Sequence, residues 1–505
     1  MSISLILDMA ASGHPDRAAM TVGGRSLTYA DFARRVARVS QVLTEREARH
    51  VVFVGNSSLE LPTLLLAAAH AGIPFVPVNY RLSTEQLAAL ISRIDTPVVV
   101  VDEQYADALG AHFAVLTTRE LAERVDAATG PCDAPAADVG ADDAAVVLFT
   151  SGTTSEPKGV VLRHGHLLSY VMGTVEFASA DETDGALISV PPYHIAGIGT
   201  ILTNLYAGRR LIYLPTFDPT AWLTLVRNEG ATSAMLVPTM LDRIVTTLDG
   251  HDASVPTLRS LSYGGARMPL PTLEAALRCF PTTGFVNAYG LTETSSTIAL
   301  LGPDDHRNAF ESTDDAVRAR LSSIGRAVPG IEIELRGPAG DVVTTAGEQG
   351  ELWVRGPQVS GEYMGIGSVL DENGWFPTRD LAYLDDDGFI FIVGRNDDTI
   401  IRGGENIAPA EIEDVAIHHP AVRSVVVIGV PDDHWGQASV AVVVPEPGTH
   451  PDEADIRDFV RSRLRSSRTP DRVVFWSELP TTATGKILRK NIIADLMQAD
   501  ITADA

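Results

Sequence analysis

Cysteine is nearly absent: two thiols, Cys132 and Cys279, serve 505 residues and stand far apart, in neither a CxxC nor a His-rich setting. That leaves no basis for a disulfide framework or a zinc site, and points to two ordinary reduced thiols. Positive charge is also scarce, with 39 Lys and Arg against 65 Asp and Glu and a formal net charge of -26. A surface of that sign repels phosphate backbones and anionic lipid, so no nucleic-acid partner is expected. Long apolar runs are missing too. The N-terminal MSISLILDMAASGHPD is interrupted by Asp8 and has no basic residue ahead of its short apolar stretch, which is poor signal-peptide design. No run elsewhere approaches a membrane span, and cytoplasmic residence is the expectation. Biased tracts and a fixed repeat period are lacking, so extensive disorder and a solenoid are both set aside.

What is present is a globular composition, 45% hydrophobic and 21% charged, in a chain too long for one ordinary core. Residues 27–43 place apolar positions at helical spacing behind a Thr28/Asp31 start signal. A β-branched strand at Val51–Val54, a helical stretch near Leu59–Ala71 and a strand at Pro74–Val78 follow, which is the βαβ pattern of a parallel sheet. Strands at 97–101, 145–150, 185–190 and 233–237 and a helix at 221–228 continue it. After about residue 320 the texture turns to short strands broken by Gly, Pro and Asp. The last hundred residues read as a compact α/β unit with helices at 409–418 and 453–465. The expected class is therefore α/β: a large N-terminal domain, 1–395, of βαβ-type parallel sheets plus a β-rich subdomain, then a small α/β domain, 396–505. The polar, turn-like join is Gly394–Asp398.

Strand 145–150 runs into Thr150-Ser151-Gly152-Thr153-Thr154-Ser155-Glu156-Pro157-Lys158-Gly159. Hydroxyls and free N–H groups in a Gly-containing loop make a cradle for phosphate oxygens, and Lys158 adds a mobile positive charge. The Lys follows a Pro and precedes a Gly, so this is not the GxxxxGK(S/T) loop. Here the chain resembles the AMP-forming adenylate-synthetase superfamily of acyl-CoA synthetases, adenylation domains and luciferases, whose loop usually reads TSGTTGxPKG. Ser155 stands where that family has Gly.

The resemblance continues in order. Pro191-Pro192-Tyr193-His194 is similar to the segment beside the carboxylate pocket, which would place His194 and Gly197 by the acyl substrate. Ser262-Tyr263-Gly264-Gly265-Ala266 resembles the loop along the adenine and acyl group, with Gly264 on the acyl side and Gly265 and Ala266 at the nucleotide. In Asn287-Ala288-Tyr289-Gly290-Leu291-Thr292-Glu293-Thr294 the resemblance puts Tyr289 on adenine, with Asn287, Ala288 and Gly290 in the same wall. Thr292 would meet the phosphates, and Glu293 would hold Mg2+, a hard cation that seeks oxygen. Trp375-Phe376-Pro377-Thr378-Arg379-Asp380 matches the family's W-x-x-T-G-D, with Asp380 on the ribose hydroxyls and Arg379 in place of Gly. Arg395 would reach ribose or phosphate, and Asp397 is the expected hinge. Gly403, Gly404 and Glu405 resemble the loop lining the pantetheine channel in CoA ligases. Lys486, in Thr484-Gly485-Lys486-Ile487, matches the late lysine that bridges the substrate carboxylate and the α-phosphate.

The resemblance implies ATP, Mg2+ and CoA as co-substrate, with Lys486, Glu293 and His194 as the catalytic set. Tyr193–Gly197 contains no carboxylate to meet an α-ammonium, which argues against an amino acid. Ala288 stands where malonate-activating relatives carry Arg, which argues against a dicarboxylate. Ile195, Ile198, Met235, Val237 and Met240, with Gly197 and Gly199 making room, suggest an apolar pocket for a fatty or aryl monocarboxylic acid. Two alternatives stay open: the phosphopantetheine arm of an acyl carrier protein as acceptor, and a non-catalytic ligand-binding relative of the same fold.

Overall fold

Thr28 starts the first long helix as expected. Its side-chain oxygen accepts the Asp31 N–H at 3.1 Å, satisfying a donor that the first turn cannot pair internally. The helix Tyr29–Glu45 buries Tyr29, Phe32, Val36, Val39 and Leu43, one stripe at helical spacing. The strand His50–Val54 leads to the helix Glu60–Ala71, which is buried almost all round from Leu61 to Ala69. An apolar perimeter of that kind is stable only inside a core. Gly72, with φ +74°, ends the helix in the left-handed conformation that a side chain resists. The strand Phe75–Pro77 then pairs in parallel with His50–Val54, completing the expected βαβ unit.

This structure, a computed structural model, describes every residue except 57, 129–135, 151–156, 396–397, 403–404, 433–434, 465–467, 483–486 and 504–505, and describes 405–406 and 499–503 by backbone only. The chain gathers into two compact units. The first comprises residues 1–321, 325–332 and 354–376; the second comprises 322–324, 333–353 and 377–505.

Among the described residues, the first unit holds a nine-stranded and an eight-stranded sheet. The central strands of the nine-stranded sheet, Arg210–Tyr213, Gly185–Ile188, Ser233–Leu236, Ser260–Gly264 and Gly284–Leu291, run parallel. At one side the chain reverses after residue 291, and Ser296–Leu301 returns antiparallel beside Gly284–Leu291. At the other edge Ala18–Val22 adds to Arg210–Tyr213. The eight-stranded sheet is parallel through Ala144–Thr150, Phe75–Pro77, His50–Val54, Pro97–Val101 and Val115–Thr117. One apolar cluster takes Tyr29 and Phe32, Leu64 and Leu65, Ile198 and Ile201 from helices, Val51 and Phe53 from one sheet, and Ile188 and Leu211 from the other. Each such fully buried side chain contributes roughly 1.5–3 kcal/mol of transfer free energy.

One element went unread in the sequence. Lys158–Arg163 is a strand, paired antiparallel with Ala144–Thr150 in the register Thr150↔Lys158 and Phe149↔Gly159. The strands on either side of the hydroxyl-rich segment are therefore an antiparallel pair.

The second unit holds most of a five-stranded sheet that contains Glu332–Arg336, Gly350–Arg355, Phe376–Leu384 and Ile390–Arg395. Its C-terminal region pairs Val422–Asp432 with Gly436–Pro445 antiparallel, and Arg472–Phe475 joins in parallel. Strand alternation sorts the side chains by face. Val425 and Val427 pack with Ile412 and Ile456 of the helices Pro409–Ala416 and Glu453–Arg461. Val426 and Ile428 pack on the other face with Ile492 and Leu496 of the last helix. No helix of the described residues is long and apolar enough to cross a membrane.

Candidate active site

The hydroxyl-rich loop is held between two paired strands. Ser151, Gly152, Thr153 and Thr154 lie outside the described residues, but both its ends are placed, with Thr150 opposite Lys158. The Lys158 ammonium sits 5.6 Å from the centre of the Tyr363 ring. Tyr363 carries no motif that would single it out in the sequence. Its short strand pairs with the Lys158–Arg163 strand at Val160.

Glu293 belongs to a single 3-10 turn, Thr292–Thr294, at the reversal between two strands. The turn is pinned from within: Thr294 Oγ1 accepts the Leu291 N–H at 3.0 Å and donates to the Ser296 carbonyl at 2.8 Å. Ser295 and Ser296 adopt φ +54° and +106°, so the reversal is made by non-glycine residues in left-handed backbone. The Glu293 carbonyl accepts the Ser360 and Gly361 N–H groups at 2.8 and 3.2 Å, and its carboxylate Oε1 accepts the Tyr363 hydroxyl at 2.9 Å. Among the described residues no group of three or more His, Cys, Asp or Glu could hold a metal by itself. A single half-buried carboxylate suits Mg2+, which keeps several waters and takes its remaining ligands from substrate phosphates. Glu293 fits that role.

Asn287, Ala288, Tyr289 and Gly290 continue from this turn, half-buried in succession along Gly284–Leu291. Gly264 ends the neighbouring strand. A Cβ there would stand 2.3 Å from the Ala288 carbonyl oxygen, so this glycine admits the adjacent strand's backbone. Gly265 has φ +82° and is exposed, with Ala266 half-buried beside it. Behind them, the buried Tyr263 hydroxyl meets His306 Nε2 at 2.8 Å, and His306 Nδ1 lies 2.8 Å from the Gly302 carbonyl. Burial pushes the His306 imidazole down to about 4, against the opposing pull of the Gly302 bond and Asp305. The uncharged ring therefore donates to Gly302 and accepts from Tyr263.

His194 immediately precedes the helix Ile195–Ala207 and is half-buried, its ring 4.8 Å from that of Tyr193. Burial drives the Tyr193 hydroxyl well above the ordinary tyrosine range. The apolar pocket expected nearby needs correction. Ile198, Val237 and Met240 are core residues at 0%, 3% and 8% exposure, and only Ile195 and Met235 are half-buried. Gly197 and Gly199 do not make room for a ligand. A Cβ at Gly197 would stand 2.8 Å from the Pro191 carbonyl oxygen, and one at Gly199 would stand 3.1 Å from the Tyr170 ring.

The second unit holds its own constellation. Asp380 is buried and lies directly across from Arg395, whose Nε stands 3.3 Å from the Asp380 carboxylate. Arg395 also donates to the Thr378 carbonyl at 3.1 Å, and the Thr378 hydroxyl donates to the Leu352 carbonyl at 2.8 Å. Between Thr378 and Asp380, Arg379 adopts φ +66°, a left-handed conformation that favours glycine. Asp397 and Lys486 lie outside the described residues, as do Gly403 and Gly404. The backbone of Glu405 pairs with that of Arg402. The Arg402 guanidinium makes two bonds to Asp471, at 2.9 and 2.6 Å. Burial works against that carboxyl, but Arg402 and Ser439 hold it below the ordinary range.

Known proteins share this arrangement of sequence. The model of the AMP-binding enzyme family matches residues 7–364, and that of the AMP-binding enzyme C-terminal domain matches 411–486. A feruloyl-CoA synthase of an Amycolatopsis species is 35% identical over 486 residues, covering 95% of this chain and 96% of that one. A 2-succinylbenzoate–CoA ligase of Bacillus cereus is 31% identical, with 95% of each chain covered. Among solved structures, the o-succinylbenzoate coenzyme A synthetase of Bacillus subtilis in complex with ATP and magnesium superposes with a TM-score of 0.83 at 26% identity, over 96% of this chain and 98% of that one.

Proposed function

Because the chain belongs to the AMP-binding enzyme family and carries that family's C-terminal domain, we propose that it joins a carboxylic acid to ATP, forming acyl-AMP and pyrophosphate, and then passes the acyl group to the thiol of CoA. The observation that carries the reading is the meeting of Lys158 and Glu293 on one tyrosine, Tyr363. A cation from a strand and a carboxylate from a distant turn, brought together, are what a triphosphate with its metal requires.

An acid oxygen attacks the α-phosphorus, and the bond to pyrophosphate breaks. Negative charge grows on the phosphoryl oxygens, where Thr150–Thr154, Lys158 and Lys486 donate to it. Mg2+, when bound at Glu293, supplies charge neutralisation on the ATP oxygens. Asp380 and Arg395 grip the ribose, Tyr289 lies on the adenine, and His194 borders the acid. Holding acid and nucleotide together removes several kcal/mol of the barrier by proximity alone. Asp397 is the pivot between domains 1–395 and 396–505 that withdraws Lys486 and brings Gly403, Gly404 and Glu405 to the thiol. The thiol attacks the carbonyl of the mixed anhydride, and AMP leaves.

The acid is a fatty or aryl monocarboxylic acid. A relative named for the feruloyl group supports the aryl member, and Ile195 and Met235 offer half-buried apolar surface for it. Pyrophosphate release measured with a panel of aryl, fatty and dicarboxylic acids tests both the reaction and the class. Release with one aryl or fatty acid, followed by acylation of free CoA, is expected. Silence across the panel would end the enzymatic reading, and acylation of a holo carrier protein but not CoA would move the acceptor.

A further inference from the structure

The segment Gln358–Met364 is tied on both sides. On one side it grips the strand Lys158–Arg163: Met364 N–H donates to the Gly159 carbonyl at 2.7 Å, and Ser360 Oγ donates to the Val161 carbonyl. Glu362 takes two bonds from Arg163, at 2.8 and 2.7 Å. On the other side it grips the turn that bears Glu293. Ser360 and Gly361 N–H groups donate to the Glu293 carbonyl, and Gln358 Nε2 donates to the carbonyls of Thr294 and Thr297 at 3.0 and 2.8 Å. Tyr363 projects from this doubly anchored strap. Its hydroxyl reaches Glu293 Oε1 at 2.9 Å, while its ring lies 5.6 Å from the Lys158 ammonium.

Resting on the proposed reaction, we infer that Tyr363 is a positioning residue for the metal–triphosphate: the hydroxyl aims the Glu293 carboxylate and the ring holds the Lys158 ammonium. A carboxylate with one oxygen occupied by a phenol presents the other in a fixed direction, so less freedom is lost when a cation binds. An ammonium near an aromatic face is restrained without losing its charge, which an acidic partner would neutralise. The two halves of the side chain therefore serve different ligands, the hydroxyl the metal and the ring the phosphates.

That division makes the inference testable by binding, independently of turnover. Calorimetry of ATP, alone and across a Mg2+ titration, is run on the full-length protein and on Tyr363→Phe and Tyr363→Leu. Tyr363→Phe should leave metal-free ATP affinity unchanged and raise the Mg2+ concentration for half-maximal enhancement by about tenfold. Tyr363→Leu should weaken metal-free ATP binding as well. A purely structural role would lower the thermal midpoint and weaken every binding constant alike in both variants, and that pattern overturns the inference. An unchanged Mg2+ midpoint in Tyr363→Phe overturns it while leaving the proposed reaction standing. Failure of the unaltered protein to bind ATP with Mg2+ overturns both.

Discussion

Arg379 is the residue where chemistry and backbone disagree most plainly. An L-residue in the left-handed region costs roughly 1–2 kcal/mol, and a glycine gives back about half of that gain through its own entropy. Arg379→Gly is therefore expected to stabilise the protein by about 1 kcal/mol or less in denaturant unfolding. Arg379→Ala, which keeps the strain and removes the guanidinium, should give no such gain; equal effects of the two would show that the side chain and not the backbone is responsible. Lys486 is a different kind of residue, since its role rests on family resemblance alone. Lys486→Ala should abolish adenylation, by on the order of a hundredfold or more, while thioester formation from supplied acyl-adenylate survives. Parallel loss of both half-reactions would contradict the role assigned to it.

At the scale of elements, two adjacent glycines make opposite demands. Gly264 is set by the Ala288 carbonyl oxygen 2.3 Å from where a Cβ would stand, whereas a Cβ at Gly265 would meet only Val237 Cγ1 at an ordinary 3.8 Å, with a φ of +82°. Gly264→Ala must force a gap between neighbouring parallel strands and is expected to cost about 3 kcal/mol and to weaken ATP binding; Gly265→Ala should cost about 1 kcal/mol. The reverse ranking in urea unfolding would mean that the strand contact is softer than its geometry. Periodic signals made most elements legible. Thr28 with Asp31 marked a helix start, and the apolar run near 59–71 marked a helical stretch, because both are local. The strand Lys158–Arg163 was not legible, since its antiparallel partner lies across the loop that drew attention to itself. Gly197 and Gly199 misled for a related reason: composition cannot tell space for a ligand from space for the Pro191 carbonyl. Tyr363 carried no mark at all, because its meaning comes from Glu293 and Lys158, each distant in sequence.

At the scale of the whole molecule, two buried histidines tie folding to pH. Burial holds His164 and His306 at about 4, below the ordinary 6.5. Between those values the unfolded chain takes up protons that the folded one refuses, so stability is full above pH 6.5 and falls as pH drops toward 4. Each contributes a slope of up to roughly 1.4 kcal/mol per pH unit in that window. The thermal midpoint should therefore decline from pH 6.5 to 5, and His306→Gln should flatten some of the decline; a flat profile in the unaltered protein would contradict the buried, neutral state of both rings.

The order of strands in the nine-stranded sheet also has a history written into it. Ala18–Val22 finds its parallel neighbour only at Arg210–Tyr213, with Met20 beside Leu211. On a ribosome adding roughly 5–20 residues each second, that early strand waits about 10–40 s for its mate. Throughout that interval one apolar edge, AAMTV, stays open on the nascent chain as a template for stray pairing. That edge closes only once residue 213 has cleared the exit tunnel.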